Sequence, residues 1–393
     1  MSELQELHID LEAVATLAMA KEGLLYPVTK LMGQKEALEV DRTQMYRYKS
    51  FPFSFVLAPS GKKNEQTILN LKTGETVKLM CQGEEIGKLK MSEVFPVNKD
   101  ERIRLIYGTN NQENQGVRDT YRRLGNYAIS GEYSINFPDI AEHIAQVRHA
   151  AQDVEARTIT SIMLSGKPFH RVHERIIRNA LAHSDLMVIF LMKSYTNDFL
   201  PFELRYKTIQ YFIDNFLPKN RVVLVPLENT YIFGGINELI LDAVVAKNFG
   251  CHKLIIGQNH AGLGAYYDKD ALHSILDTLV GIDIEVEVMS EFVYCDKCKT
   301  LVGTTACPHG RHHHVNYHSD SILDLLKMGF IPPTILMRKE ISAMILSHIF
   351  KDKTAELETI YQNIFPLSGL LEEFKDEDFY KSLIGLYQTT SLT

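Results

Sequence analysis

The chain has 393 residues, of which 45% are hydrophobic, 23% charged and 9% aromatic. This composition is typical of a globular protein with two or three domains, and it excludes a disordered or collagen-like chain. The 42 basic and 49 acidic residues give a formal net charge of -7. No overall electrostatic attraction to nucleic acid or to an anionic membrane is therefore expected, and any anion must be bound locally.

The N-terminal sequence MSELQELHIDLEA is acidic and lacks the basic stretch and apolar core of a secretory signal. No window approaches the roughly 20 uncharged apolar residues of a membrane helix. We therefore predict a cytoplasmic protein with neither a nucleic-acid nor a membrane partner. Five cysteines are too few for a disulfide framework, and three of them crowd between Cys295 and Cys307, which is typical of metal binding.

The N-terminal part of the chain, residues 1–150, is predicted to be a β-rich domain. From Tyr26 to about Ser134, short apolar or alternating runs such as QTILNL and RIRLIYGT are separated by turn-forming clusters such as Gly61-Lys62-Lys63-Asn64. Alternation of this kind, with turn residues between the runs, favours strands over helices.

Residues 151–318 show a different pattern, in which strand-like runs alternate with helical runs of ten or more residues. This alternation predicts βαβ units, a parallel sheet and a ligand crevice at the carboxyl ends of its strands. The predicted strands are Thr158–Ser165, Asp185–Met192, Arg221–Leu227, Lys253–Gly257 and Ile282–Val288. Residues 319–393 are predicted to form a small helical domain.

The motif PFHRVHE directly follows the first of these predicted strands and begins a predicted helix. His170 and His173 are three residues apart and therefore share one helix face. The positive end of a helix favours phosphate, and two histidines there can bind the phosphates of a nucleotide. The alternative is that both residues only cap or pack the helix.

Two further patterns are candidate sites. Cys295, Cys298 and Cys307 precede a run of histidines, and three thiolates with one imidazole complete the tetrahedral shell of a structural Zn²⁺. The alternative is a loop of reduced cysteines beside a chance run of histidines.

The segment GQNHAGLG, beginning at Gly257, follows another predicted strand and resembles either a plain turn or a loop that approaches a ligand closely.

Five stretches, in order, resemble motifs of the ATP sulfurylase (sulfate adenylyltransferase) family, and together they cover nearly the whole chain. They are VFPVNKDERIRLIYGTNNQENQGV, PFHRVHE, FGGINELILDAVVAKNFGCHKLIIGQNHAGLG, YCDKCKTLVGTTACPHG and LLKMGFIPPTILMRKEI. The resemblance implies an α/β fold: a PUA-like β-domain, then a Rossmann-like nucleotidylyltransferase domain of the HxxH type, then a small C-terminal helical domain. It also implies a homodimer.

The resemblance implies that ATP and sulfate react to give adenosine 5′-phosphosulfate and pyrophosphate. His170 and His173 are the expected catalytic pair, and ATP is expected to bind with Mg²⁺. The other residues expected to bind ATP or substrate are Ser165, Lys167, Gly257, Gln258, His260, Ala261 and Gly262. The expected structural zinc ligands are Cys295, Cys298, Cys307 and one histidine. His309, His312 and His313 all lie within reach, and the order of preference is His313, then His312.

The chain departs from the family at the positions that bind anions. Leu164, Gly166 and Gln258 align with the Gln and two Arg residues that hold sulfate and phosphate. Asn237 aligns with the Arg of the Gly-Pro-Arg-Glu helix, and Lys167 replaces an Asn. Each charge-assisted hydrogen bond contributes about 1.5–3 kcal/mol, so losing two would weaken sulfate binding on the order of 10²- to 10⁴-fold.

Two alternatives to sulfate activation therefore remain open. One is a nucleotidylyltransferase for a different, less anionic acceptor, with Leu164, Gly166 and Gln258 lining a more neutral pocket. The other is a non-catalytic paralogue that binds a nucleotide or a protein partner. The missing arginines distinguish sulfate activation from these two alternatives. A test of ATP binding distinguishes the two alternatives from each other.

Overall fold

The computed structural model describes residues 4–195, 198–257, 276–365 and 374–387. Its chain forms two compact units. The first unit comprises Met1–Met163, Ser184–Thr196 and Val225–Met289, and the second comprises Leu164–His183, Asn197–Leu224 and Ser290–Thr393. The domain bounds 1–150, 151–318 and 319–393 stay a prediction. No helix of the described residues combines the length and apolarity needed to span a membrane.

Helices and strands are interspersed along the described residues. The helices are α1 (Leu11–Lys21), α2 (Gln34–Thr43), α3 (Lys62–Asn70), α4 (Lys99–Tyr107), α5 (Gln115–Arg123), α6 (Asp139–Asp153), α7 (Arg171–Leu181), α8 (Phe202–Phe216), α9 (Glu238–Asn248), α10 (Ser319–Lys327), α11 (Lys339–Ile349), α12 (Thr354–Ile364) and α13 (Asp376–Tyr387). The strands are β1 (Glu6–His8), β2 (Met45–Tyr46), β3 (Lys49–Ser50), β4 (Leu57–Pro59), β5 (Thr76–Cys81), β6 (Glu84–Pro96), β7 (Leu124–Ile135), β8 (Ile159–Leu164), β9 (Leu186–Ser194), β10 (Val222–Asn229), β11 (Lys253–Gly257), β12 (Glu285–Met289), β13 (Phe292–Cys295), β14 (Thr300–Gly303) and β15 (His314–Val315).

The N-terminal sheet has the strand order β1-β5-β6-β7-β4. Strand β5 alternates buried and half-buried side chains, which is the pattern of a strand with one face on the core. It pairs antiparallel with β6 and parallel with β1. The prediction of a β-rich N-terminal domain is confirmed, although helices α1 to α5 also lie in this part of the chain.

The second large sheet has the strand order β10-β9-β8-β11-β12. All six residues of β8 are buried, and β9 is buried from Leu186 to Met192, as expected for strands covered on both faces. Strand β11 pairs in parallel with both β8 and β12. Because β9 and β11 flank β8, the chain order reverses there, and this is where open α/β sheets bind ligands.

The predicted strands of this sheet agree with the structure to within three residues at each end. The first half of the predicted helix DALHSILDTLVG, residues 270–275, lies outside the described residues. In the second unit, a small sheet with the order β14-β13-β15 precedes the C-terminal helices, and α11 packs against α8 and α13.

Candidate functional site

The turn after β8 is held by a buried arginine. Gly166 has a φ of 62°, a left-handed conformation that glycine adopts without strain. Arg205 of α8 is only 2% exposed. Its Nη1 donates to the backbone oxygen of Ser165 at 2.6 Å, and its Nε donates to the backbone oxygen of Leu200 at 3.1 Å. Arg205 therefore ties the start of α8 to the turn that precedes the histidine motif.

His170 and His173 lie together at the N-terminus of α7. Their rings stack with centroids 3.8 Å apart, and the backbone N–H of His170 donates to Nδ1 of His173 at 3.2 Å. Nε2 of His170 lies 3.2 Å from Ser319 Oγ. The ring of Phe169, which is fully buried, stacks on His173. The two histidines meet at the start of α7, as their spacing predicts, although His170 is the N-cap residue and only His173 lies within the helix.

Both histidines are neutral at pH 7. Burial lowers the pKa of His173 to about 4, and burial together with the neighbouring His173 lowers the pKa of His170 well below its usual value. Because Nδ1 of His173 accepts a backbone hydrogen bond, the neutral ring carries its proton on Nε2. Nδ1 of His170 is buried and has no hydrogen-bond partner among the described residues. The pair therefore offers hydrogen bonds, and a bound phosphate would favour protonation.

The first turn of α7 is fixed by a buried ion-pair network. Both carboxylate oxygens of Glu174 lie 2.8 Å from the guanidinium of Arg338, and Nη1 of Arg171 donates to Glu174 at 3.2 Å. Nε of Arg171 also donates to the backbone oxygen of Thr334 at 3.0 Å. The guanidinium of Arg338 lies 3.6 Å from the centroid of the Phe216 ring. This network joins α7 to the segment before α11.

The cations beside the turn are paired with carboxylates. Nζ of Lys167 lies 2.8 Å from Asp198 Oδ1, and Nη2 of Arg205 lies 3.4 Å from Asp198 Oδ2. In the first unit, Nζ of Lys193 lies 3.0 Å from Glu228, which is fully buried. Positive charge that already faces a carboxylate is less available to an anionic ligand.

The structure also places some of the residues that align with the family's anion-binding positions. Leu164 is the buried last residue of β8. Nδ2 of Asn237 donates to the backbone oxygen of Leu105 at 2.6 Å, so this side chain has a structural partner. Gly257 is the exposed last residue of β11. The other predicted residues of that loop lie outside the described residues: Gln258, His260, Ala261 and Gly262.

The cysteine motif forms a cluster on the small sheet. Nδ1 of His309 lies 3.4 Å from Sγ of Cys295, 3.3 Å from Sγ of Cys298 and 3.7 Å from Sγ of Cys307. The sulfurs of Cys298 and Cys307 are 3.9 Å apart. Zn–S and Zn–N bonds of about 2.0–2.3 Å in a tetrahedron require ligand separations of about 3.5–3.8 Å. The donor set and its geometry therefore fit zinc with no open position.

The predicted histidine ligand requires a correction. Among the described residues, the group that could hold a metal ion consists of Cys295, Cys298, Cys307 and His309, and it does not include His313. Nδ1 of His313 lies 2.8 Å from Asp296 Oδ1, and His312 is exposed. The short turn after Cys307 brings His309 close to all three sulfurs. His314 contacts one of them, with Nε2 3.4 Å from Sγ of Cys307.

Sequence patterns alone did not assign a role to two residues around the histidine pair, Ser319 and Arg338. His309 was one of three histidines within reach of the cysteines, but the spacing did not favour it. Arg338 belongs to the motif LLKMGFIPPTILMRKEI, whose resemblance to the family assigned no role to this arginine. Ser319 is 149 residues from His170 along the chain, so no local sequence pattern could predict their contact.

Comparison with protein families gives two matches. Residues 138–348 match the ATP-sulfurylase family model, which is more than half of the chain, and residues 1–136 match a PUA-like domain. The predicted order of a PUA-like domain, a nucleotidyltransferase-like α/β domain and a helical C-terminus is confirmed.

Individual relatives resemble most of the chain. The sulfate adenylyltransferase of Staphylothermus marinus is 28% identical over 358 residues, covering 89% of this chain and 92% of the relative. The sulfate adenylyltransferase of Chloroflexus aurantiacus is 26% identical over 351 residues, covering 87% of this chain and 90% of the relative. A solved structure described as a hexameric APS kinase from Thiobacillus denitrificans aligns with a TM-score of 0.63 and 17% identity, covering 87% of this chain and 62% of that one. This last likeness shows the fold alone.

Proposed function

Because the chain belongs to the ATP-sulfurylase family, we propose that it transfers the adenylyl group of ATP to sulfate, giving adenosine 5′-phosphosulfate and pyrophosphate. The observation that carries the proposal is the stacked pair of His170 and His173 at the N-terminus of α7. Neutral imidazoles at the positive end of a helix are suited to bind the phosphates of a nucleotide.

The proposed reaction needs positioning and charge stabilisation rather than a base. An oxygen of sulfate attacks the α-phosphorus of ATP, the bond to the bridging oxygen breaks, and pyrophosphate leaves with its electron pair. Sulfate is already ionised, so no proton has to be removed from it. His173 donates from Nε2, and the growing negative charge on the leaving group raises the pKa of both histidines. ATP enters as its magnesium complex.

In this proposal, the network around Glu174 positions the histidine pair. Arg338 and Arg171 hold the carboxylate from two sides, which fixes the first turn of α7 against the segment that contains Thr334. The cluster of Cys295, Cys298, Cys307 and His309 would hold a structural zinc ion, because four protein donors leave no position for a substrate. The homodimer and the cytoplasmic location stay predictions.

A second candidate is adenylyl transfer to a less anionic acceptor, and the paired cations favour it. Lys167 and Arg205 both face Asp198, while Leu164 and Gly166 stand where the family has polar and basic side chains. A pocket with little uncompensated positive charge binds a dianion weakly and tolerates a neutral or monoanionic acceptor.

The test is the release of pyrophosphate from ATP and Mg²⁺ by the purified protein, with sulfate, with molybdate and with neither. ATP binding is measured in the same preparation by calorimetry. His170→Ala is the test variant, and His183→Ala is the matched control because His183 is exposed and follows the other end of α7.

Oxyanion-dependent release that His170→Ala abolishes and His183→Ala preserves would support sulfate as the acceptor. ATP binding without oxyanion-dependent release would contradict sulfate activation and leave the second candidate and a non-catalytic, nucleotide-binding protein. Absence of ATP binding would contradict both and indicate the non-catalytic alternative.

A further inference from the structure

A cavity of about 670 Å³ lies in the N-terminal part of the first unit, between α2 and α4. Neither histidine of the pair lines it. Its volume is in the range of pockets that hold metabolite-sized ligands. Its lining includes Asp41, Phe95, Val97, Asn98, Arg102 and Leu105.

Arg102 of α4 is a buried cation in the lining, with only 4% of its surface exposed. Its Nη1 donates to Ser54 Oγ at 2.9 Å, and its Nε has no hydrogen-bond partner among the described residues. The nearest described carboxylate is Asp41, with Oδ1 3.9 Å from Nη1. Both oxygens of Asp41 already accept hydrogen bonds from Ser54. The guanidinium also lies 5.2 Å from the centroid of the Phe53 ring. A buried N–H donor that is left without an acceptor is costly.

Apart from Asp41, which is half-buried and paired with Arg102, the other charges of the lining are in contact with water. Arg42, Lys35, Glu39 and Glu101 are exposed, so solvent screens their attraction and repulsion. Arg102 is not screened in this way, because it is buried. Arg102 is the most buried charge of the lining, and its partner Asp41 lies 3.9 Å away with both oxygens engaged by Ser54, so the cavity favours additional negative charge beside Arg102.

The walls around Arg102 provide apolar contact. Phe95 is buried and Val97 and Leu105 are half-buried in the lining, while Leu38 is 63% exposed. The N-terminus of α4 also borders the cavity, where Asn98 caps the helix by accepting from the backbone N–H of Glu101. The helix dipole adds partial positive charge at this wall.

We propose that this cavity binds a small organic anion, whose carboxylate, sulfonate or phosphate group pairs with Arg102 and whose apolar body packs against Phe95, Val97 and Leu105. The site is separate from the histidine pair, and the inference does not depend on the proposed adenylyl transfer. A ligand bound here stabilises the N-terminal fold by mass action.

The probe for the test is 8-anilinonaphthalene-1-sulfonate, an aromatic anion whose fluorescence rises in an apolar environment. We expect saturable binding at one site per chain, displaced by inorganic phosphate at high concentration. Arg102→Met keeps the length of the side chain and removes its charge, so we expect binding about 10- to 100-fold weaker. The matched control is Arg104→Met, because Arg104 lies on the same helix, is exposed and does not line the cavity.

A second variant, Val97→Phe, fills the cavity without touching the charge and is expected to weaken binding as well. Thermal melting shows whether each variant folds. If Arg102→Met does not fold, binding to Val97→Phe tests the proposed site instead. Loss of binding in a folded Arg102→Met or Val97→Phe, with Arg104→Met unchanged, supports the site. Absence of saturable binding, or wild-type binding by either folded variant, overturns it.

Discussion

The zinc-type cluster of the small sheet and the turn after β8 both use histidines, but they balance charge in opposite ways. In the cluster, three sulfurs and Nδ1 of His309 surround a space that suits a cation. In the turn, the cations Lys167 and Arg205 already face the carboxylate of Asp198. One region has donors that need a positive ion, and the other has positive groups that are already compensated.

The two regions differ because one would stabilise the fold through a metal ion, whereas the other would have to bind an anionic acceptor. A structural metal site depends only on donor type and distance, and it is independent of which acceptor the protein uses. An anion site depends on uncompensated positive charge, which must match the acceptor. The cluster therefore depends on its four donors alone, whereas Leu164 and Gly166 stand at positions where the sequence resemblance predicts anion-binding side chains. The following predictions test this comparison, beginning with the largest expected effect.

Removal of metal from the cluster is expected to have the largest effect. Cys298→Ser, or a chelator, should unfold the small sheet and lower the melting temperature by more than about 10 °C, because metal binding and folding are coupled at such sites. Zinc content and thermal melting are the measurements. Cys81→Ala is the control, since Cys81 lies outside the cluster. Equal zinc content in Cys298→Ser and in the wild type would disprove the metal site.

Arg338→Met is expected to cost about 3 kcal/mol of unfolding free energy, because it removes the closest partner of the buried Glu174 carboxylate. Urea denaturation measures the loss. Arg175→Met is the matched control, since Arg175 is an exposed arginine on α7. If the two variants differ by less than about 1 kcal/mol, the network does not position α7.

The pH dependence of stability tests the neutral histidine pair. The pKa of His173 is about 4 in the folded chain and about 6.5 when unfolded, so only the unfolded state gains a proton between these values. Stability from this group is therefore complete above pH 6.5 and falls by on the order of 3 kcal/mol toward pH 4. His173→Asn should show a shallower decline in urea denaturation between pH 7 and pH 4.5. His183→Asn should behave as the wild type, and parallel curves for all three proteins would refute the assignment.

The smallest effect is expected for the pair of Lys167 and Asp198. The Lys167 side chain is 38% exposed, so Lys167→Met should change the unfolding free energy by less than about 1 kcal/mol. Asp198→Asn removes the negative charge that faces Lys167. If sulfate is the acceptor, this change should strengthen sulfate binding in calorimetry. Unchanged sulfate affinity in Asp198→Asn would show that compensation by Asp198 is not what limits anion binding.

The element order and the fold class could be predicted from local patterns. Strand β9 is a continuous buried apolar run from Leu186 to Met192, and strand β5 alternates. Both signals come from neighbours along the chain. The histidine motif and the C-x-x-C turn are equally local, because their members lie within four residues. These features required no knowledge of distant contacts.

Local pattern failed where the choice depended on distance in space. Several histidines follow Cys307, and spacing alone did not distinguish His309 from His313; only the turn of the chain brings Nδ1 of His309 to the sulfurs. The partner of Glu174 is Arg338, which is 164 residues away along the chain.

The sequence by itself determined the order of strands and helices, the histidine pair and the thiol donors, because hydrophobic periodicity and short motifs act over a few residues. Only the tertiary structure decided which donors meet and which charges cancel. The compensation of Lys167 by Asp198 and the burial of Arg102 beside a cavity depend on long-range packing. Electrostatic energies change with distance and burial, and neither quantity is contained in the spacing of residues along the chain.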